Sequence, residues 1–173
     1  HSCSGTLNKS ICENNYGAYG YDLTRDSLHR IISLCVLNSK GELDTDIFNT
    51  QMTKYNYTDW GIESLSVYGV DGIAINSEIL SGVHKVSILY DEYGNPIKSV
   101  NYGEDLNVCN SKFGYASQRV VFERGCAVES INYDDRGVRA NNNASMSSKV
   151  HSYYDSKGRI VKELLYSETV VEG

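Results

Sequence analysis

The stretch SYYDSKGRIVKELLY, Ser152 to Tyr166, decides the fold. It opens on aromatic residues, meets the acidic Asp155 and the turn glycine Gly158, and then alternates Lys162, Leu164 and Tyr166 with Val161, Glu163 and Leu165. Alternation with a period of two is the mark of a strand, and an Asp followed closely by Gly is the mark of a tight turn. The stretch therefore reads as a β-hairpin.

Working outward, the aromatic-acidic pair recurs as Tyr21-Asp22, Tyr57-Thr58-Asp59, Tyr90-Asp91, Phe122-Glu123 and Tyr154-Asp155, at spacings of 36, 33, 32 and 32 residues. A turn glycine follows as Gly61, Gly94, Gly125 and Gly158, and the first register carries Arg25-Asp26 instead. A second anchor recurs as Leu37, Tyr68, Tyr102, Tyr133 and Tyr166. Further turn signals stand at Lys40-Gly41, Asp71-Gly72, Glu104-Asp105 and Arg136-Gly137. The connectors correspond as well: Gly82 and Gly114 each precede an aromatic anchor by eight residues, and Asn76-Ser77 matches Asn110-Ser111.

Between these punctuation marks the chain is strand-like. Val86, Ile88 and Tyr90 share one face of a strand over Lys85 to Tyr90, and the second strands carry Lys98/Val100/Tyr102, Glu129/Ile131/Tyr133 and Lys162/Leu164/Tyr166. We expect one face of aliphatic residues and tyrosines, with Ser87, Ser99, Asn101, Ser130 and Asn132 pointing outward. Asp26 to Leu37 is the most helix-like stretch, but its alignment with the other units favours a strand.

The expected fold is all-β: an array of antiparallel hairpins in a twisted or coiled sheet, about 32 residues per unit. Residues 1–12 form an N-terminal segment, residues 13–166 the single repeat domain, and residues 167–173 a tail. Units fall near 13–48, 49–81, 82–113, 114–145 and 146–166. A lone hairpin is marginal in water, so the units must stack into a common core.

Composition agrees with this and excludes several functions. The 173 residues include 14 Tyr and 15 Gly but 1 Pro, and 40% are hydrophobic, enough to bury a core. A net charge of −6 argues against an electrostatic grip on nucleic acid or an anionic membrane. No apolar run reaches the length of a membrane span.

The stretches Tyr90 to Leu106, Gly114 to Gly125, Ile131 to Gly137 and Ser152 to Tyr166 resemble the YD repeats of bacterial Rhs-type surface and toxin-shell proteins, a likeness that extends over residues 13–166. The resemblance implies long β-sheets that wrap or present other molecules, sugar binding in some cases, and no catalytic residues to carry over.

Chemistry motifs are absent. His29, His84 and His151 follow no metal-ligand spacing, and no nucleophile elbow, phosphate loop or calcium loop appears. Asp22, Asp91, Asp134, Asp135 and Asp155 suit turn chemistry better than a glycosidase pair. We expect no enzyme, no cofactor and no metal. Trp60 and Tyr93 are the candidate ligand-contacting aromatics.

The five cysteines leave alternatives open: Cys3 with Cys12 and Cys109 with Cys126 as disulfides, or all five reduced, with Cys35 a buried free thiol. Asn8, Asn56 and Asn143 head glycosylation sequons. The absence of a visible signal segment suits a mature chain from which targeting sequence, or a lipid anchor at Cys3, has been trimmed. The expected role is an extracellular or cell-surface module that binds a protein or glycan partner. The alternative is a structural spacer of a longer shell. Exposed edge strands predict self-association.

Overall fold

The computed structural model describes residues 14–168, so Cys3, Cys12 and Asn8 lie outside the described residues. The strands are β1 (Gly20–Arg25), β2 (Ile31–Leu37), β3 (Met52–Tyr57), β4 (Ile62–Tyr68), β5 (Lys85–Tyr90), β6 (Pro96–Tyr102), β7 (Ser117–Glu123), β8 (Cys126–Tyr133), β9 (Lys149–Tyr154) and β10 (Ile160–Tyr166). They form one ten-stranded antiparallel sheet in chain order. The fold is all-β, as the alternation predicts, and Asp26 to Leu37 resolves into a turn and the strand β2.

Pairing is uneven along this meander. Within a hairpin, the partners run the length of the strands, from Lys85↔Tyr102 to Tyr90↔Pro96 in β5 and β6. Between hairpins only three residues pair: Ser33–Cys35 with Met52–Lys54, Ser64–Ser66 with Lys85–Ser87, Lys98–Val100 with Ser117–Arg119, and Glu129–Ile131 with Lys149–His151. The hairpins are thus tied to one another near the edge where the connectors run. Toward the tight turns they part.

The turns explain why the chain reverses where it does. At the β5–β6 tip, the Asp91 carboxylate accepts the backbone N–H groups of Tyr93 and Asn95, both at 2.9 Å, while Gly94 at φ 83° takes the left-handed step. Asp155 does the same for Lys157 and Arg159. In the first hairpin this role falls to Asp26, which accepts from Leu28 and Arg30. That corrects the expected first register, because Tyr21 and Asp22 lie inside β1 and not at its turn. The displaced register is the source of the odd first spacing.

The second anchors mark the ends of β2, β4, β6, β8 and β10. The carbonyls of Leu37, Tyr68, Tyr102, Tyr133 and Tyr166 accept hydrogen bonds from the residues that precede the paired first strands: Tyr19, Gln51, His84, Ala116 and Ser148. Each connector then folds back through a side-chain-capped turn. Asp46 holds Phe48 and Thr50, Ser111 holds Phe113, and Asn142 holds Ala144. Successive turns stack by backbone bonds, Ile47 to Tyr16, Lys112 to Ser81 and Asn143 to Phe113.

The core sits beneath these connectors. Val67, Leu80 and Val83 are buried against Leu65, Ile75, Val86 and Cys109, so one face of the sheet is roofed where the connectors return. This revises the expected distribution of side chains. Val86 pairs with Asn101 and Ile88 with Ser99, whereas Tyr102 pairs with Lys85. The two tyrosine sets therefore lie on opposite faces, because a single-residue bulge between Leu89 and Tyr90 and the alternation of paired strands place them so. Asn101 and Asn132, expected to point outward, are 7% and 6% exposed, with their amides on the carbonyls of Tyr115 and Ser147 under the connectors.

Candidate functional site

The connectors roof one face; the opposite face buries Ser64, Ser66 and Ile131, while Lys54, Lys98, Arg119 and Lys162 stand exposed on it. Along its connector edge run Tyr68, Tyr102, Tyr133 and Tyr166, which end β4, β6, β8 and β10. Lysines from the paired strands lie over three of these rings: Lys54 at 4.9 Å from Tyr68, Lys85 at 5.8 Å from Tyr102 and Lys149 at 5.5 Å from Tyr166. Strand alternation puts Lys98, Arg119 and Lys162 on the same face. An acidic chain thus carries a locally basic, tyrosine-lined surface.

Two seams on this face have opposite electrostatics. At β8–β9, Glu129 meets Lys149 at 2.5 Å and His151 at 3.8 Å. The hydrogen bond from Lys149, with the charges of Lys149 and His151, holds the Glu129 carboxyl below its ordinary range. At β6–β7, Lys98 stands directly opposite Arg119, and neither has an ion-pair partner among the described residues. A hollow of about 300 Å³ opens there, lined by Lys98, Ser117, Arg119, Tyr133 and Gly137. A wider cleft of about 600 Å³ lies between the tips of the last two hairpins, lined by Arg124, Cys126, His151, Tyr153 and Asp155 among others.

Trp60 and Tyr93, the expected ligand contacts, stand at the tips of neighbouring hairpins. Both are exposed, 56% and 77%. The Trp60 ring lies against the next tip so closely that a Cβ on Gly94 would sit 2.6 Å from Trp60 Cε3. The tryptophan therefore packs one tip on another, while Tyr93 projects into solvent.

Further tip contacts come from the aromatic anchors. The hydroxyl of Tyr57 donates to the carbonyl of Ile31, that of Tyr90 to Ile62 and that of Tyr154 to Ala127. Each acceptor is the residue paired with the previous hairpin's anchor position, Arg25, Tyr57 or Phe122. Tyr90 can reach Ile62 because its hydroxyl passes over Gly61, where a Cβ would lie at 2.9 Å. Phe122 lacks the hydroxyl, so the β6–β7 seam has no such clasp.

Cys109 and Cys126, for which the sequence leaves both a disulfide and the reduced state open, are free thiols in this structure. Cys109 bonds back to Asn101 at the connector edge, level with Tyr133, whereas Cys126 begins β8 at the tip edge. The eight residues of β8 separate them, roughly 23 Å at the rise of a strand. Burial pushes the Cys109 thiol up. Cys35 is also free and only half-buried.

The histidines and carboxylates take structural parts. His84 is buried, with Nδ1 2.7 Å from the Val67 carbonyl and its ring edge-on to Tyr68. Asp91, Asp134 and Asp155 cap turns, and hydrogen bonds from Asn95, from Arg136 and from the Arg159 backbone lower their respective carboxyls most. No group of three metal-ligating side chains occurs among the described residues. No helix among them is long and apolar enough to cross a membrane.

The seam residues Lys98, Arg119, Glu129 and His151 escape a sequence reading as a group. The signal is there in part, since each stands two or four positions from an anchor or a strand start, but which strands adjoin must be known first. No protein-family model matches the chain, and a search of curated proteins finds no match.

Proposed function

We propose that the chain is a non-catalytic interaction module, secreted or displayed at a cell surface, that binds a protein or glycan partner through the face of its sheet opposite the connectors. The observation that carries this reading is the contrast between the two faces. One is roofed by connectors, while the other leaves tyrosine rings, lysines and the half-buried serines Ser87 and Ser117 along its seams. Tyrosine flanked by small polar residues suits wet recognition surfaces, because the ring gives contact area at small entropic cost. The likeness to YD repeats supports the same role.

A glycan-array assay on the purified chain tests it. We expect saturable binding that weakens in Lys98→Ala/Arg119→Ala on the face, with Trp60→Ala/Tyr93→Ala reporting whether the tips contribute. Silence on the array, with no complex formed with surface proteins of the native host, would turn the reading toward the alternative of a structural spacer. That alternative draws support from the uniformity of the four three-residue seams.

A further inference from the structure

Every internal seam joins the second strand of one hairpin to the first strand of the next, in one register. The residue four before a second anchor pairs with the third residue beyond the connector: Ser33 with Lys54, Ser64 with Ser87, Lys98 with Arg119 and Glu129 with His151. The sheet ends on the same two kinds of strand. Among the described residues, β10 has no neighbour beyond β9 and β1 none beyond β2.

We infer that the two end strands are complementary to each other, so that β10 of one copy pairs with β1 of the next and extends the sheet head to tail. The internal register, carried over, sets Lys162 opposite Asp22, Glu163 opposite Tyr21 and Leu164 opposite Gly20. The pair that lies where Lys98 faces Arg119 in the middle of the sheet is here of opposite charge. A cross-strand pair of this kind favours the register.

Apolar burial points to the same occupant. Leu165 precedes the last anchor as Val36, Val67, Asn101 and Asn132 precede theirs, and those four are buried whereas Leu165 is 59% exposed. Val67 is buried because Leu80 and Val83 of the following capped turn pack on it. The turn of residues 14–18, capped by Asn14, has the same hydrogen bonding as these turns and stands just before β1. In an incoming copy it arrives over Leu165, bringing the exposed Tyr16 with it. Exposed Ile160, Val161 and Tyr166 on one side and Tyr21 and Leu23 on the other complete an edge that no other described residue covers.

Such an interface is heterologous: each copy uses two different surfaces, and both remain available at the ends of the assembly. Unless the rotation closes a ring, it produces an open series of oligomers and not a fixed dimer.

Sedimentation velocity of the full chain across a wide concentration range, at physiological ionic strength, tests the inference. We expect a ladder of species that grows with concentration. Lys162→Asp and Asp22→Lys should each weaken association by roughly fivefold, and the double variant should restore it, since the swapped charges again meet. Both sites are on the sheet's edge strands, and thermal melting of each variant verifies that its fold is intact. A monomer at every concentration would mean that the chain's own terminal segments occupy the edges, and would overturn the inference. So would association that stops at a dimer, which denotes like edges pairing, or association that neither single substitution weakens. The test reads assembly without any ligand, so its outcome is independent of the glycan assay.

Discussion

The β6–β7 and β8–β9 seams are built on the same three-residue ladder, yet they are held very differently. At β8–β9, Glu129 sits between Lys149 and His151, and the Tyr154 hydroxyl clasps the Ala127 carbonyl at 2.9 Å. At β6–β7, Lys98 faces Arg119, and Phe122 occupies the clasping position without a hydroxyl. Backbone pairing alone is common to both. Side chains therefore set the two seams apart, and β6–β7 lacks both the ion pair and the hydroxyl clasp that β8–β9 has. Two unneutralised cations directly opposite each other are unfavourable in isolation. Their position on the face opposite the connectors, beside Tyr133, gives a binding partner something to neutralise.

The most direct way to break the contrast is Glu129→Lys, which turns the strong seam into a copy of the weak one. The introduced lysine joins Lys149 and His151, so that three side chains able to carry positive charge crowd a site where Glu129 and Lys149 are 21% and 23% exposed. We expect a loss of about 2 kcal/mol in unfolding free energy, the largest effect among these variants, because a partly buried charge pair becomes a repulsive cluster. Urea unfolding measures it. A change within error would mean that the ladder, and not the ion pair, holds β9 against β8.

Why the sheet is legible in the sequence and the seams are not follows from the range of the forces involved. Tyr90 to Tyr102 announces a hairpin because alternation, an Asx turn and Gly94 all act within a few residues. The second anchors are readable for the same reason, as the residues that close each hairpin at the connector edge. The first register misleads because Tyr21-Asp22 imitates the motif four residues ahead of the working turn at Arg25-Asp26. Assignment of faces goes astray where a bulge shifts the phase, and a bulge has no local signature in Leu89 or Ile97. Asn101 and Asn132 look like surface residues until the connector that roofs them is in place. The net charge of −6 conceals the basic face, because a sum over the chain has no direction, whereas strand alternation sorts charges by side. Lys98 and Arg119 lie far apart in sequence, and only the fold makes them neighbours.

Exchanging the clasp between seams sharpens the comparison. Tyr154→Phe removes the hydroxyl from the strong seam and leaves the ring in place, so the expected cost is about 1 kcal/mol, the net value of one hydrogen bond. Phe122→Tyr does the reverse. By position its hydroxyl should meet the carbonyl of Pro96, the residue paired with Tyr90. A gain of roughly 0.5 kcal/mol is expected, somewhat below the loss at Tyr154 because the β6–β7 seam is not packed around a hydroxyl at that position. Thermal melting of the two variants and their double provides the comparison. If Phe122→Tyr destabilises instead, the carbonyl of Pro96 is out of reach and the middle hairpins are splayed more widely than their neighbours.

Acid should erase the difference in stability that Glu129 confers on its seam. The carboxyl is held below its ordinary range chiefly by the hydrogen bond from Lys149. A folded-state value below the unfolded one, about 4.3, means that folding favours the ionised form. Its contribution is then fully present above the unfolded value and is lost as pH falls through the folded one. The capping carboxylates of Asp26, Asp91, Asp134 and Asp155 are lowered too, so the whole sheet weakens over the same acidic window. Comparing the wild-type chain with Glu129→Gln isolates the seam. At neutral pH the variant should be less stable by about a few tenths of a kcal/mol, the worth of this partly buried ion pair beyond its hydrogen bond. Once the pH lies below the folded-state value the two chains should melt together. The β6–β7 seam supplies the internal control, since Arg119→Gln removes a cation that has no titrating partner across the strand and its effect should persist throughout that range. A Glu129→Gln difference that survives in acid would assign the stabilisation to side-chain packing at the seam and not to charge.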